Sequence, residues 1–296
     1  MPKKNPGGPA ALRSLVAGRR AVAVPGVFNP AVALLAEEAG FDALYLSGAA
    51  FANSLGMPDV GATTMTEVAE MTRRILSAVP SLPLIVDVDT GFGEAVNVGR
   101  TVREMERAGA AAVQIEDQVM PKRCGHLDGK EVVDPRAMVE KVIAAKEAAK
   151  SLLVIARTDA AEKEGLDGAV RRATLYRRAG ADVIFPEALR TKAEFIEFAR
   201  RVDGPLLANM TEFGKTPYTT ISEFSEMGYK LVIFPVTVFR AAMKAAGEAL
   251  AEVARSGTQK AMLGRLMTRD EFNALVGYST AEREDREVSK KASRVR

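Results

Sequence analysis

Hydrophobic and polar positions along the chain sort into two alternating kinds of segment. Short, almost wholly aliphatic runs occur at residues 21–24, 43–46, 84–88, 111–115, 152–156, 182–185, 205–208 and 231–234. They are four or five residues long and show no polar alternation, which predicts strands buried on both faces. Between them lie longer stretches with apolar positions at helical spacing, among them 96–108, 135–150, 168–179 and 192–201.

The junctions repeat. AEEAGFDALYL, MERAGAAAVQI, YRRAGADVIF and FSEMGYKLVIF each take a helix to a glycine (Gly40, Gly109, Gly180, Gly228) and start a strand within about three residues. Eight strands joined by helical crossovers predict a parallel sheet. Eight such units in about 250 residues predict a closed (β/α)8 TIM-type barrel. An open doubly wound sheet is the alternative, weakened by the absence of a GxGxxG turn after the first strand. The chain reads as a single barrel domain over residues 1–296, with 257–296 as a charged, helical C-terminal extension that caps the barrel or reaches a neighbouring subunit. Two connections are long, 53–65 and 117–134; the second is expected to move and to close over a site.

Composition narrows the class. The 296 residues are 47% hydrophobic and 27% charged, which is globular and excludes a mainly disordered chain, a collagen or a coiled coil. No apolar run reaches the roughly 18 residues of a membrane span. The opening MPKKNPGGPAALRSLVAG lacks the apolar stretch of a secretory leader. One cysteine, Cys124, allows neither an intrachain disulfide nor a Cys-rich zinc site, and a reducing, cytoplasmic setting is expected. The net charge of +3 sits at the ends, in Lys3 and Lys4 and in residues 282–296, so no basic groove for nucleic acid is expected.

In a barrel of this kind, chemistry gathers where strands run out into loops. Reading past each predicted strand gives Ser47-Gly48-Ala49-Ala50, then Asp87 and Asp89 in VDVDTGFG, Glu116 and Asp117 in QIEDQ, and Arg157 and Asp159 in ARTDA. Glu187 follows in FPEA, Asn209 and Thr211 in ANMTEFG, and Arg240 after the last strand. Asp87 and Asp89, two apart, are expected on one side of a strand. Converging carboxylates repel unless a cation intervenes, and oxygen-only ligands suit Mg²⁺ or Mn²⁺, with Glu116 adding a ligand directly or through water. The loop PKRCGHLDGK holds the only cysteine and the only histidine, Cys124 and His126, around Gly125. Lys122, Arg123 and His126 predict a reactive thiolate, while bound carboxylates would push the thiol the other way. A Cys–His hydrolase has no supporting context, and a barrel that merely binds a ligand needs no such set.

SGAAFANSLGMPDVG, VDVDTGFG, IEDQVMPKRCGH, ARTDA, FPEA and ANMTEFGKTP, in that order, resemble the isocitrate lyase/phosphoenolpyruvate mutase superfamily. KRCGH with VDVDTGFG and ARTDA resembles its carbon–carbon lyase branch, and the chain length resembles the shorter methylisocitrate lyases. The resemblance runs from about Pro9 to about Arg286. It implies a Mg²⁺-dependent barrel, a homotetramer with the C-terminal helix swapped between subunits, and cleavage of the tricarboxylate 2-methylisocitrate to pyruvate and succinate, a step of propionate catabolism. It further implies that Asp87 and Asp89 hold the metal with Glu116 nearby, and that Ser47, Gly48 and Ala49 bind the pyruvate-like end. By the same likeness Cys124 is the catalytic acid, and Gly125, His126, Arg157, Glu187, Asn209, Thr211, Arg240 and Arg269 complete the substrate pocket. One departure is visible: the family's SGGG is Ser47-Gly48-Ala49-Ala50, whose added methyls narrow the pocket. An oxaloacetate-type hydrolase or decarboxylase and an isocitrate or dimethylmalate lyase are the alternative activities in the same superfamily.

Overall fold

The computed structural model describes residues 7–293. It divides into two compact units, the first ending at Arg240 and the second beginning at Ala241.

In the first unit, α1 (Pro9–Val16) precedes β1 (Val22–Val27), α2 (Pro30–Glu38), β2 (Leu44–Leu46), α3 (Gly48–Ser54), α4 (Met65–Ala78) and β3 (Leu84–Asp87). Next come α5 (Ala95–Arg107), β4 (Ala112–Glu116), α6 (Pro135–Ala148), β5 (Leu153–Thr158), α7 (Ala161–Arg178) and β6 (Val183–Pro186). α8 (Lys192–Arg201), β7 (Leu207–Asn209), α9 (Ile221–Glu226), β8 (Leu231–Phe234) and the start of α10 (Thr237–Ser256) complete it. All pairings are parallel, in the order β6-β5-β4-β3-β2-β1-β8-β7. The two ends meet at a bridge between Ile184 and Leu206, where the Ile184 N–H donates to the Pro205 carbonyl at 3.0 Å. The sheet is thus a nearly closed (β/α)8 barrel.

The repeated glycines explain how the chain turns so quickly. Gly40, Gly109, Gly180 and Gly228 have φ of 83, 94, 106 and 92°, the left-handed region that favours glycine. The next N–H in each case donates to the carbonyl five residues back: Phe41 to Ala36, Ala110 to Met105, Ala181 to Tyr176, and Tyr229 to Phe224. These bonds satisfy carbonyls that a helix end leaves open and point the chain into the following strand.

Two cores account for the missing polar alternation. Inside the barrel, Val24, Ile85, Leu153, Ile155, Phe185, Leu207 and Ile233 pack together, with Leu12 and Val16 of α1 in the same cluster. Outside it, Leu44, Val86, Val113, Val154 and Ile184 face the helices. There Phe195, Phe224 and Tyr229 meet edge-on at 5.2–5.5 Å.

β1 and α7 run furthest beyond the sequence pattern. β1 continues through Pro25 and Gly26, where a side chain on Gly26 would stand 2.8 Å from the Pro235 Cα. α7 reaches back to Ala161 across a break at Gly165, whose φ is 66°.

The second unit comprises the rest of α10, a 3₁₀ turn (Lys260–Arg265), α11 (Arg269–Leu275) and α12 (Tyr278–Ala292). Met262 is its one buried hydrophobic residue among those described, whereas Met243, Leu250, Val253 and Phe272 are exposed. No helix among the described residues is long and apolar enough to cross a membrane.

Candidate active site

A cavity of about 320 Å³ opens at the carboxyl ends of the strands. Its lining contains most of the residues singled out from sequence: Ser47, Ala49, Asp87, Cys124, Gly125, His126, Arg157, Glu187, Asn209, Thr211 and Arg240. Gly48, Asp89 and Glu116 lie behind that lining, buried. Arg269 belongs to the second unit, where it is exposed at the start of α11.

β3 ends at Asp87, and its carboxylate is held by two backbone donors, Gly48 N–H at 3.2 Å and Asp89 N–H at 3.1 Å. Asp89 lies beyond the strand with φ 48°, so strand alternation is not what brings the two acids together. The left-handed turn does so instead: a Cβ on Gly48 would lie 3.1 Å from Asp87 Oδ2 and 3.2 Å from Asp89 Oδ1. Lys122 Nζ stands 2.8 Å from Asp89 Oδ1 and also pairs with Asp59. Burial, with Asp87 adding to it and Lys122 opposing, pushes Asp89 up to about 6.

Glu116 ends β4 with 1% of its surface exposed, and neither carboxylate oxygen has a hydrogen bond. Its ion pair is to Arg157 Nη1 at 3.2 Å, and burial holds its carboxyl well above the usual range. Five buried acids (Asp87, Asp89, Glu116, Asp159, Glu187) gather here against three buried cations (Lys122, Lys130, Arg157). A surplus of negative charge, an all-oxygen donor set and a carboxylate without hydrogen bonds fit a hard divalent cation. No group of three acid, His or Cys side chains among the described residues is already gathered for a metal.

Arg157 is the hub of the floor. Its Nε and Nη2 grip Asp159 at 2.9 and 3.0 Å, Nη1 meets Glu116, Nη2 lies 3.5 Å from Glu187, and the guanidinium stacks 5.3 Å from the Phe185 ring. Its charge is therefore matched within the protein, and it still lines the cavity. Glu187 also accepts from Asn209 Nδ2 at 3.1 Å and from the Ala188 N–H at 2.7 Å. Burial works against its charge, but Arg157 and His126 prevail and hold its carboxyl well below the usual carboxylate range.

The cysteine loop is built onto this floor. An antiparallel bridge between Gln118 and Val132 closes its base. The Gln118 amide donates to the Arg123 carbonyl and accepts from the Arg123 N–H, both at 2.9 Å. Gly125 presses on the ion pairs: a Cβ there would lie 2.7 Å from Glu187 Cδ and collide with Arg157 Nη2. Lys130, 2% exposed, donates to the Gly125 carbonyl and lies 3.3 Å from Asp159. His126 Nδ1 accepts from the Lys215 N–H at 3.0 Å, which assigns the ring proton to Nε2, 3.1 Å from Glu187 Oε1.

Cys124 itself is half-buried. Burial raises its pKa, and Glu187 and Asp59 add to this against the His126 N–H and Arg157. Of the two opposing expectations the protonated thiol prevails through burial, and Lys122, turned to Asp59 and Asp89, does not offset it.

Around this centre, the Ser47 hydroxyl caps α3 by accepting from the Ala50 N–H at 3.3 Å. Arg240 bonds the Glu212 carbonyl at 2.7 Å and its carboxylate at 3.2 Å. Phe185, Ile233, Val236 and Phe239 form an apolar wall. Asp117 turns inward, accepting from Thr158, Tyr176 and the Asp159 N–H at 2.7–2.9 Å, and serves to hold the loops. Asp59, absent from the sequence reading of the site, also lines the cavity. Its signal was a lone acid in the long connection after the second strand.

The family model for phosphoenolpyruvate phosphomutase matches residues 12–254. A protein of Aeropyrum pernix named 2-methylisocitrate lyase is 60% identical over 291 residues, covering 98% of this chain and 94% of the relative. One of Bacillus subtilis with the same name is 49% identical over 278 residues, covering 94% and 92%. Among solved structures, a 2,3-dimethylmalate lyase superposes with a TM-score of 0.88 at 36% identity, covering 94% of this chain and 95% of the other. An oxaloacetate acetylhydrolase gives 0.90 at 32%, covering 95% and 97%. A phosphonopyruvate hydrolase solved with oxalate and Mg²⁺ gives 0.83 at 32%, covering 97% and 99%. On these matches and this fold, the chain belongs to the phosphoenolpyruvate mutase/isocitrate lyase superfamily and is an enzyme of its carbon–carbon lyase branch.

Proposed function

We propose that the protein cleaves 2-methylisocitrate into pyruvate and succinate with Mg²⁺ as cofactor. One observation carries this reading: the half-buried thiol of Cys124 and the carboxylate of Asp87 line the same cavity, with Asp89 converging on Asp87 beside Gly48. Asp87 and Asp89 would hold the metal, with Glu116 reaching it through water. When bound, Mg²⁺ supplies Lewis-acid stabilisation of the oxygens of the pyruvate-like end; Mn²⁺ would serve in its place.

The chain's own residues do the rest. Ser47 and Ala49 border the end of the cavity beside Asp87, and Arg123, joined by Arg240 once it turns from Glu212, would supply positive charge for the remaining carboxylates at its mouth. The apolar wall of Phe185, Ile233, Val236 and Phe239 takes the uncharged part of the substrate. As the carbon–carbon bond breaks, the hydroxyl gives its proton to a carboxylate lining the cavity or to water, its carbon becomes the carbonyl of pyruvate, and the electron pair stays with the succinate fragment. The Cys124 thiol then donates its proton to that carbon, a contribution worth about 10²–10⁴ in rate. Arg157 and Glu187, locked to each other and beneath Gly125, fix where the thiol stands. The cysteine loop excludes water by closing over the bound acid.

The same reading includes a homotetramer that exchanges its C-terminal helix. An apolar groove of about 440 Å³ runs beside β1 and β8, lined by Val27, Leu35, Phe41 and Phe234 among others. Separately, α10 carries exposed Met243, Leu250 and Val253 and buries none of its residues. A cytoplasmic setting suits the single unpaired thiol.

Product analysis by NMR tests the activity, with 2-methylisocitrate, isocitrate, dimethylmalate and oxaloacetate in competition. Pyruvate and succinate in equal amounts from 2-methylisocitrate is the expected result. Preferential turnover of oxaloacetate would replace it with the hydrolase or decarboxylase reading.

A further inference from the structure

Outside the cavity, a second set of polar contacts joins three loops, and none of it takes part in the chemistry above. Lys215, in the loop after β7, sends its ammonium to Asp128 Oδ1 at 2.5 Å and to Glu162 Oε2 at 3.1 Å. Asp128 belongs to the cysteine loop. Glu162 stands in the first turn of α7 and also accepts the Gly129 N–H at 3.2 Å, with Lys130 Nζ 3.6 Å from its Oε2. The Lys215 backbone N–H is the donor that sets the proton position on His126. Next to it, Gly214 lies flat against that ring, where a Cβ would come within 2.9 Å of His126 Cγ.

We propose that Lys215 is a positioning residue: with Glu162 and Asp128 it latches the cysteine loop shut, holding Cys124 and His126 over the floor formed by Arg157 and Glu187. The inference deepens the lyase reading and rests on it for its catalytic meaning. The latch itself is a property of the free protein. Each ion pair is partly exposed and individually weak, so closure depends on their acting together and is screened by salt.

Cys124 is the only cysteine in the chain, so alkylation by iodoacetamide reports this one position. The full-length protein is treated in magnesium buffer across alkaline pH. The plateau rate, where the thiol is fully ionised, reports access rather than acidity. Lys215→Met and Glu162→Gln are each expected to raise that plateau about fivefold, equivalent to about 1 kcal/mol of loop closure. Lys215→Arg is expected to restore it. Raising NaCl to about 0.3 M should accelerate the native protein and leave Lys215→Met nearly unchanged. Removing a cation from the thiol's surroundings disfavours the thiolate, so faster modification of Lys215→Met cannot come from a larger thiolate fraction. Thermal unfolding should stay close to that of the native protein, which separates local opening from general loosening. Plateau rates equal to native in both variants, or equal salt acceleration in all of them, would overturn the latch. The readout involves no substrate, so it can fail while the lyase reading stands, and the reverse.

Discussion

Gly125→Ala puts the geometry of the cysteine loop under direct strain. The new methyl would sit 2.7 Å from Glu187 Cδ and closer still to Arg157 Nη2, against an ordinary carbon contact of about 3.5–4.0 Å. Neither neighbour can yield. Arg157 is fixed to Asp159 at 2.9 and 3.0 Å, and Glu187 to Asn209 and the Ala188 N–H. The loop must therefore lift by about 1 Å, taking Cys124 with it. Overpacking of this kind costs about 1–3 kcal/mol, which in a chain of this size lowers Tm by several degrees, about 2–4 °C per kcal/mol. A misplacement of about 1 Å costs on the order of 10²-fold in the chemical step, or about 2.7 kcal/mol of barrier. Activity should thus fall far more than stability. The assay is steady-state pyruvate formation from 2-methylisocitrate, coupled to NADH oxidation, beside a thermal melt. A folded Gly125→Ala enzyme with kcat within about threefold of native would refute the fit described for the loop.

Other outcomes follow from the same contacts. Cys124→Ala should lose about 10²–10⁴ in kcat with KM little changed, and full activity in that variant would remove the thiol from the chemistry. Because burial raises the Cys124 pKa, the acid form persists through neutral pH, and the native rate should decline only above the ordinary thiol value of about 8.5. An alkaline limb below that value would contradict the assignment. Gly48→Ala would place a methyl 3.1–3.2 Å from the two carboxylates and should weaken Mg²⁺ binding on the order of tenfold; unchanged affinity by calorimetry would place the metal elsewhere. Leu12→Ala, at a fully buried position in the barrel's interior cluster, should cost about 2–5 kcal/mol in urea titrations, and a loss below 1 kcal/mol would show that α1 is dispensable there.

The barrel was legible because its strands are buried on both faces. Periodicity alone separated them from the helices, and Gly40, Gly109, Gly180 and Gly228 marked four helix ends through a backbone conformation that only glycine adopts cheaply. β1 runs on through Pro25 and Gly26, both strand breakers in isolation; the space beside Pro235 that demands a glycine is a tertiary fact. The acids at the rim were legible as charge at strand ends. Their partners were not. Asp89 meets Asp87 through a left-handed turn, not through alternation. Arg157 shows in sequence only as a cation at a strand end; the fold closes on it Asp159 from the end of its own strand and Glu116 and Glu187 from the two neighbouring ones. The acidity of Cys124 was open for the same reason: sequence shows Lys122 and Arg123 as neighbours, and only the fold shows Lys122 turned to Asp59 and Asp89. Lys215, Glu162 and Asp128 lie far apart along the chain, and nothing local marks them as a set.

The central claim is a divalent cation held by Asp87 and Asp89 at the mouth that also holds the thiol. Anomalous diffraction from crystals grown with Mn²⁺ and oxalate tests it most directly. The expected result is one strong peak beside Gly48, about 2.1 Å from oxygens of both carboxylates, in the cavity that Cys124 lines. A peak remote from both acids, or none at saturating Mn²⁺, would contradict it.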